Sequence, residues 1–260
     1  MSGRLLAVTD ILVASARHQI AIVRSHPLFL IGGIVQPLVF LLVVFHARGR
    51  PSGEEVMGVA TAVLLMAYWG STVWQGAGIL RRERGVGTLG ALMRGVRAPM
   101  LVLAGKSLGA SLAPALLTGA TVVAALVVLR APLAVPQPGW FVVGLLAAIL
   151  SGTALGTVLC SLFLLTRYGP QLSSALMYPV FLLGGLLIPT ELFPPWIAWL
   201  GSLVSLKWAQ QFLVSLGTGA PDHAALGMVG ALTIAYAVAG SAAFRHIDSL
   251  VRGRGTLELG

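Results

Sequence analysis

The sequence has few charged residues and almost no cysteine. Only 10% of its 260 residues are Asp, Glu, Lys or Arg, whereas about a quarter are charged in soluble domains. Hydrophobic residues make up 57%, and the mean hydropathy is +0.92. The single cysteine, Cys160, cannot form an intrachain disulfide, and we interpret it as a small packing residue. This composition excludes an ordinary soluble domain and predicts one membrane domain over residues 1–260.

Six long apolar runs almost lack formal charge, and each is interpreted as a membrane-spanning helix. The predicted spans are 28–45, 56–80, 101–129, 139–166, 171–188 and 224–244. Lys106, near the inner end of the third span, is the one charged side chain in these runs. Proton-coupled transporters and intramembrane enzymes usually need ionisable groups at depth. An energy source outside this chain is therefore the simplest inference.

The sequence also lacks a recognisable catalytic or metal-binding pattern. The five histidines are scattered without metal-ligand spacing, and no Ser, His and Asp stand in a known catalytic order. Residues 85–90 match GxGxxG and residues 100–107 resemble a phosphate-binding loop, but neither follows a predicted strand. We therefore expect no enzyme activity, no bound cofactor, no metal and no ATP site in this chain.

The basic residues are distributed unevenly along the chain. With six spans and a cytoplasmic N-terminus, thirteen Lys and Arg residues face inward and only Arg48, Arg50, Arg130 and Lys207 face outward. This bias predicts two cytoplasmic termini, and it accounts for the net charge of +9 without a nucleic-acid partner. Arginine outnumbers lysine fifteen to two, as in GC-rich bacterial genomes, so the expected location is a bacterial cell membrane.

Three segments outside the spans complete an all-α membrane fold. Residues 1–27 place basic and apolar side chains on different faces, which predicts an amphipathic helix on the inner surface. Residues 81–99 are a charged island between two uncharged stretches, so they must lie in water. Residues 189–206 pass from a proline-rich breaker to an apolar run too short to cross the bilayer, which predicts a re-entrant outer helix. Residues 207–216 are expected along the outer interface.

Prolines and small residues within the spans predict bends and close contacts. Pro37 and Pro114 should kink the first and third spans. Small residues let helix backbones approach each other, so we expect helix contacts at two glycine pairs. These pairs are Gly105 with Gly109 and Gly152 with Gly156.

Three stretches resemble the type 2 ABC-transporter permeases, a family that includes drug, antibiotic and polysaccharide exporters. They are residues 24–27 with 36–40, residues 83–99 with Glu83, Arg84, Gly87, Thr88, Leu89, Leu92 and Pro99, and residues 184–196. The resemblance covers nearly the whole chain. It implies a permease subunit that pairs with a separate ATPase subunit, where ATP and Mg bind, and with a second permease that is identical or a paralogue.

The resemblance also implies roles for particular residues. Residues 81–99 become a coupling helix inserted into a groove on the ATPase, the alternative being an inner loop whose arginines only set topology. The predicted coupling residues are Arg81, Arg82, Glu83, Arg84, Gly87, Thr88, Leu89, Leu92 and Met93.

Aromatic residues of the second and fifth spans predict a pathway between two protomers, unless they face lipid. The pathway or dimer-interface candidates are Tyr68, Trp69, Tyr178, Phe181 and Leu182. The outer-gate candidates are Glu191, Pro195, Trp196 and Lys207. Such permeases often have an Asn-Pro or Pro-Leu step where this chain has residues 205–208. Lys207 and Glu191 either pair across the short outer helix or remain two solvated charges.

The predicted function is ATP-driven export of a small hydrophobic or amphipathic compound, such as a drug, an antibiotic or another natural product. A permease for a lipid-linked polysaccharide or a lipid is the alternative within the family. An ATP-independent channel or facilitator and a membrane scaffold are alternatives from other classes.

Overall fold

The computed structural model describes residues 2–48, 53–76, 78–95, 99–131, 135, 137–164, 168–187 and 192–254. Within these residues the regular structure is helical and there is no strand. The helices are α1 Ser2–Arg24, α2 Pro27–Leu30, α3 Gln36–Arg48, α4 Gly53–Ser71, α5 Ile79–Gly85, α6 Leu89–Gly95, α7 Pro99–Val128, α8 Pro138–Leu164, α9 Gly169–Leu183, α10 Pro195–Ser202, α11 Ser205–Ser215 and α12 His223–Arg254. Two π-helical segments, π1 Ile31–Val35 and π2 Thr72–Gly76, join α2 to α3 and continue α4.

Four helices of the described chain are long and apolar enough to cross a membrane. They are Glu55–Gly85, Pro99–Val128, Pro138–Phe163 and His223–Ile247, and they coincide with the predicted second, third, fourth and sixth spans. Shorter apolar helices, Ile31–His46 and Gln171–Leu183, occupy the places of the predicted first and fifth spans. The all-helical membrane class is thereby confirmed, and the count of six spans stays a prediction.

The largest cluster of buried side chains joins α4, α8, α9, α11 and α12. Trp69 from α4, Phe181 from α9 and Phe212 from α11 are almost fully buried in it. A position of residues 207–216 along the outer interface stays a prediction, and one face of α11 is buried in this cluster. That face is buried because its apolar side chains recur at helical spacing and meet α4, α8 and α12.

Helix α1 packs lengthwise against α7. A Cβ atom placed on Gly105 would lie 2.7 Å from the carbonyl oxygen of Leu12, and one on Gly109 would lie 2.4 Å from that of Ala16. Both glycines are therefore close-contact positions, as predicted. The two contacts are four residues apart in each helix and follow the same order, so α1 runs alongside α7. Small side chains such as Ser15 allow α1 to pack on this candidate span, and the position of α1 at the inner membrane surface stays a prediction.

The two π-helical segments have local causes. Segment π1 immediately precedes Pro37, which has no backbone N–H to donate to the carbonyl of Gly33 and whose ring crowds that carbonyl. In α4 the carbonyl of Tyr68 accepts hydrogen bonds from the hydroxyls of Ser71 at 2.8 Å and Thr72 at 3.0 Å. These bonds compete with the backbone bond to the same carbonyl where π2 begins. Both segments widen their helices beside the same cavity, described below.

The outer segment folds as two helices rather than one. Helix α10 ends at Ser202, Val204 has extended backbone torsions, and α11 begins at Ser205. The indole N–H of Trp208 donates a 2.9 Å hydrogen bond to the carbonyl oxygen of Ser202 across this break. The predicted apolar segment 196–206 is therefore interrupted before its end.

Candidate coupling site and membrane cavity

The described part of the charged island folds into two short helices joined by a turn, α5 Ile79–Gly85 and α6 Leu89–Gly95, which we call the tip. Helix α5 is followed by Gly87, which has a φ of +79° that favours glycine, and α6 then begins at Leu89. The backbone N–H of Thr88 donates a 2.9 Å hydrogen bond to the carbonyl oxygen of Glu83 and closes the turn. The tip connects the candidate spans Glu55–Gly85 and Pro99–Val128.

Glu83 is held by two groups of its own chain. One carboxylate oxygen accepts a hydrogen bond from the ammonium of Lys106 on α7. The other accepts a 2.6 Å hydrogen bond from the hydroxyl of Thr88. The Lys106 side chain is 7% exposed and that of Glu83 is 13% exposed, so the pair is largely removed from water. It fixes the tip to α7, and Lys106, which was not among the predicted site residues, is part of it.

The apolar side chains of the tip pack into the permease body. Leu89 and Leu92 are 5% and 8% exposed and belong to a buried cluster with Leu103, Phe244 and Ile247. The backbone N–H of Leu80 in the same cluster donates to the sulfur of Cys160 at 3.3 Å, which confirms Cys160 as a buried packing residue. A contact of Leu89 and Leu92 with an ATPase stays a prediction, and it would require them to leave this cluster. The side chain of Met93 lies outside the described residues.

A smaller set of groups is exposed at the tip. Arg81, Gly87 and Thr88 are exposed, and Val86 has 71% of its surface accessible. Arg84 is half-buried. Val86 lies between Gly85 and Gly87 in the turn that joins α5 to α6, so its side chain projects from the turn. These residues form the exposed surface of the tip.

A cavity of about 490 Å³ lies behind the tip, between α2, π1, α4, π2, α7 and α9. Volumes of this size are typical of small-molecule sites. Its walls include Gly33, Gly70, Pro114 and Met177, and Arg82 also lines it. Sequence reasoning assigned Arg82 to the ATPase surface and missed the cavity, because its walls come from four separate parts of the chain. The available signals were Pro37 and Pro114, which were interpreted only as bends.

Most of the predicted pathway residues lie inside one protomer. Tyr68, Trp69 and Phe181 are 2%, 2% and 1% exposed, and the Tyr68 hydroxyl donates a 3.0 Å hydrogen bond to the carbonyl oxygen of Ile149 on α8. Leu182 is half-buried. Only Tyr178, at 69% exposure, stands on the surface, with its ring 6.3 Å from that of Phe181. A position between protomers thus remains a prediction that fits Tyr178 better than its three buried companions.

The predicted outer-gate residues are partly described. Pro195 begins α10 and Trp196 is 69% exposed. Lys207 lies with its ammonium 5.2 Å from the ring centroid of Trp208, a cation–π contact on its own helix. Glu191 lies outside the described residues, so its pairing with Lys207 stays a prediction.

Comparison with known proteins places this architecture in a family. The family model described as ABC-2 type transporter matches residues 9–216. The chain belongs to the ABC-2 type transporter family. No curated protein sequence matches it.

The family match identifies which component of an ABC-2 transporter this chain is. The matched domain is the multi-pass membrane permease component of these transporters. It extends from within α1 to the 3₁₀ turn Leu216–Thr218, so the tip, the Glu83 pair and the cavity all lie inside the family domain. Helix α12 lies beyond the match and packs on α8 and α11.

Proposed function

We propose that this ABC-2 chain is the permease subunit of an ATP-driven exporter in a bacterial cell membrane, with six spans and both termini in the cytoplasm. The observation that carries the proposal is the family match over residues 9–216. It is supported by the uneven distribution of basic residues and by the charged tip between two candidate spans. The working complex would contain two permease subunits, identical or paralogous, and two copies of a separate ABC ATPase.

The surface proposed to contact the ATPase is the exposed part of the tip. Arg81, Val86 and Gly87 are accessible there, whereas Leu89 and Leu92 are buried in the permease. Glu83 transmits force in this proposal without touching the ATPase, because its pair with Lys106 joins the tip to α7. Movement of the tip would then move a membrane-spanning helix directly.

The proposed cargo is a hydrophobic or amphipathic small molecule. Apolar candidate spans and a cavity with mostly apolar walls support this class over a naked polar sugar chain. A lipid-linked polysaccharide or a lipid is the second candidate within the family. The cavity favours the small molecule because its volume of about 490 Å³ suits a drug-sized ligand.

The test is reconstitution with an ABC ATPase, for which the genes adjacent to this one are searched first. The two proteins are purified together, placed in proteoliposomes and assayed for ATP hydrolysis and for uptake of candidate amphipathic compounds. If the chain is part of an exporter, the cargo should enter the proteoliposomes only when ATP is supplied. The cargo should also stimulate ATP hydrolysis. Cargo uptake without ATP would instead establish a facilitator. If there is no cargo uptake and the chain forms no complex with the ATPase, a membrane scaffold would be favoured.

A pair of charge reversals tests the contact surface within the same assay. Arg81→Glu on the tip should weaken ATPase binding and stimulation, because rim charges direct association. Arg130→Glu is the matched control, since Arg130 is also exposed but follows the end of α7 that is remote from the tip. Equal effects of the two reversals would contradict the proposed surface.

A further inference from the structure

Arg82 lines the cavity behind the tip, and no carboxylate lies beside it among the described lining residues. The Nη1 atom of Arg82 is buried and has no hydrogen-bond partner among the described residues. The described residues that line the cavity include no Asp or Glu. A buried guanidinium N–H without an acceptor is unfavourable, so this position suits a ligand that supplies one.

The neighbouring carboxylate is not available to Arg82. Glu83 is the next residue, but its two oxygens accept from Lys106 and Thr88. Neutralising Arg82 from within would therefore require breaking the pair that fixes the tip to α7. The chain separates the two adjacent charges into two environments, one paired and one facing the cavity.

Most of the remaining cavity wall is apolar. It includes Ala67, Gly70, Pro114 and Met177, and the other polar residues that line it are His26, Gln36 and Ser71. Trp74 lies at its edge and is 47% exposed, so it stands between the cavity and the outer surface of the helices.

We propose that this cavity binds an amphipathic anion, with its carboxylate or phosphate on Arg82 and its apolar body along Gly70, Pro114 and Met177. The inference rests on the proposed function and specifies its cargo class: the chain would take anionic amphiphiles from the inner leaflet. A single-chain cargo and an anionic membrane lipid share this chemistry. Two π-helical segments line the site, in keeping with the frequent occurrence of such segments at functional sites.

The test measures binding by the purified permease alone, in nanodiscs of neutral phosphatidylcholine. The probes are bromododecyl phosphate and its cationic counterpart, bromododecyltrimethylammonium, because bromine quenches tryptophan fluorescence on contact. We expect the phosphate probe to quench Trp74, to lose that signal in Trp74→Phe, and to bind at least about tenfold more tightly than the ammonium probe. Since no ATPase is present, failure here is separate from failure of ATP-driven transport.

Substitutions at Arg82 decide the assignment. Arg82→Gln should weaken binding of the phosphate probe by about tenfold, and Arg82→Lys should retain most of the preference for the anion. Arg245→Gln is the matched control and should bind like the unmodified chain. The elution profile and thermal unfolding verify that each variant is folded. If Arg82→Gln does not fold, the test relies on Arg82→Lys, which keeps the positive charge. Equal affinity for the two probes, or equal binding by Arg82→Gln and Arg245→Gln, would overturn the proposal.

A further comparison separates the two sources of the anion. Brominated phosphatidylglycerol is incorporated into the nanodiscs, and quenching of Trp74 is measured with and without bromododecyl phosphate. Quenching by the lipid that Arg82→Gln abolishes supports the site and identifies a membrane lipid as its occupant. Binding of the single-chain phosphate alone supports the site and identifies a smaller cargo. Binding of neither anion would overturn it.

Discussion

The carboxylate of Glu83 on α5 lies against the ammonium of Lys106 on α7, although the two residues are 23 positions apart. Both side chains are mostly buried, and Thr88 donates a second hydrogen bond to the same carboxylate. The pair therefore joins the turn of the tip to a candidate span. Any partner that displaces the tip must move α7 or break this pair.

Removing either member of the pair should destabilise the permease. Glu83→Gln or Lys106→Met leaves an uncompensated, largely buried charge, and we expect a loss of about 1–3 kcal/mol for each. The charge-swapped double variant Glu83→Lys with Lys106→Glu should recover part of that loss. Thermal unfolding of the purified protein in detergent measures all three. An unchanged melting temperature in Glu83→Gln would show that the pair does not stabilise the tip.

Glu83→Ala should affect both transport and stability. A carboxylate facing only the ATPase could be lost without disturbing the helix bundle, whereas this one contacts Lys106. We therefore expect reduced coupling together with lower thermal stability. ATP hydrolysis and cargo uptake in proteoliposomes, compared at equal amounts of folded protein, separate the two effects.

The contact between Tyr68 and Gly152 should tolerate no added methyl group. A Cβ at position 152 would lie 2.0 Å from the Tyr68 hydroxyl oxygen, so Gly152→Ala should cost about 1–3 kcal/mol through overpacking. Gly230→Ala in α12 is the matched control, because no heavy atom lies within 4 Å of its new Cβ. Thermal unfolding of both variants tests the contrast, and equal melting temperatures would contradict it.

The packing of α1 on α7 should depend on Gly109. Its added Cβ would lie 2.4 Å from the backbone oxygen of Ala16, which cannot move without shifting α1. Gly109→Ala should therefore loosen α1, with faster proteolysis of this helix than in Gly119→Ala. The control glycine lies on the same helix, and its nearest contact is a leucine side-chain atom at 3.9 Å. Equal protection of α1 in both variants would argue against lengthwise packing.

The start of α12 should respond to acid through Asp222. Hydrogen bonds from the backbone N–H of Ala225 and the side-chain amide of Gln211 lower the pKa of this carboxyl. A lowered folded pKa means that its stabilising effect is present above the unfolded value near about 4 and is lost as pH falls through the folded pKa. Asp222→Asn can still cap the helix but does not titrate. Between about pH 5 and pH 3 the unmodified protein should lose more thermal stability than Asp222→Asn.

The proposed topology predicts which side of the membrane reaches each exposed residue. In a Cys160→Ala background, an impermeant thiol reagent added to intact cells should label Trp199→Cys on α10 and leave Val86→Cys on the tip unlabelled. Both native side chains are well exposed, at 64% and 71%, so access to reagent is comparable. Labelling of Val86→Cys from outside would make the orientation wrong.

The sequence by itself determined the class of this protein, because that class depends on composition and run length. Long uncharged stretches in lipid can satisfy their backbone polar groups only as helices, so the candidate spans around Tyr68, Pro114, Gly152 and Thr233 followed without knowledge of any contact. The family resemblance was likewise carried by local motifs such as Glu83 with Arg84, and the match over residues 9–216 confirmed it.

Only the tertiary structure decided which neighbours those residues have. Arg82 and Glu83 are adjacent and looked equivalent in the charged island, yet one lines a cavity and the other pairs with Lys106. Leu89 was predicted to face a partner and is buried instead. These outcomes depend on how α1, α5, α7 and α9 pack together, and pairings between distant segments leave no periodic signal in the sequence. Helix formation is encoded locally, whereas the direction that each charged or apolar side chain faces is set by the helices around it.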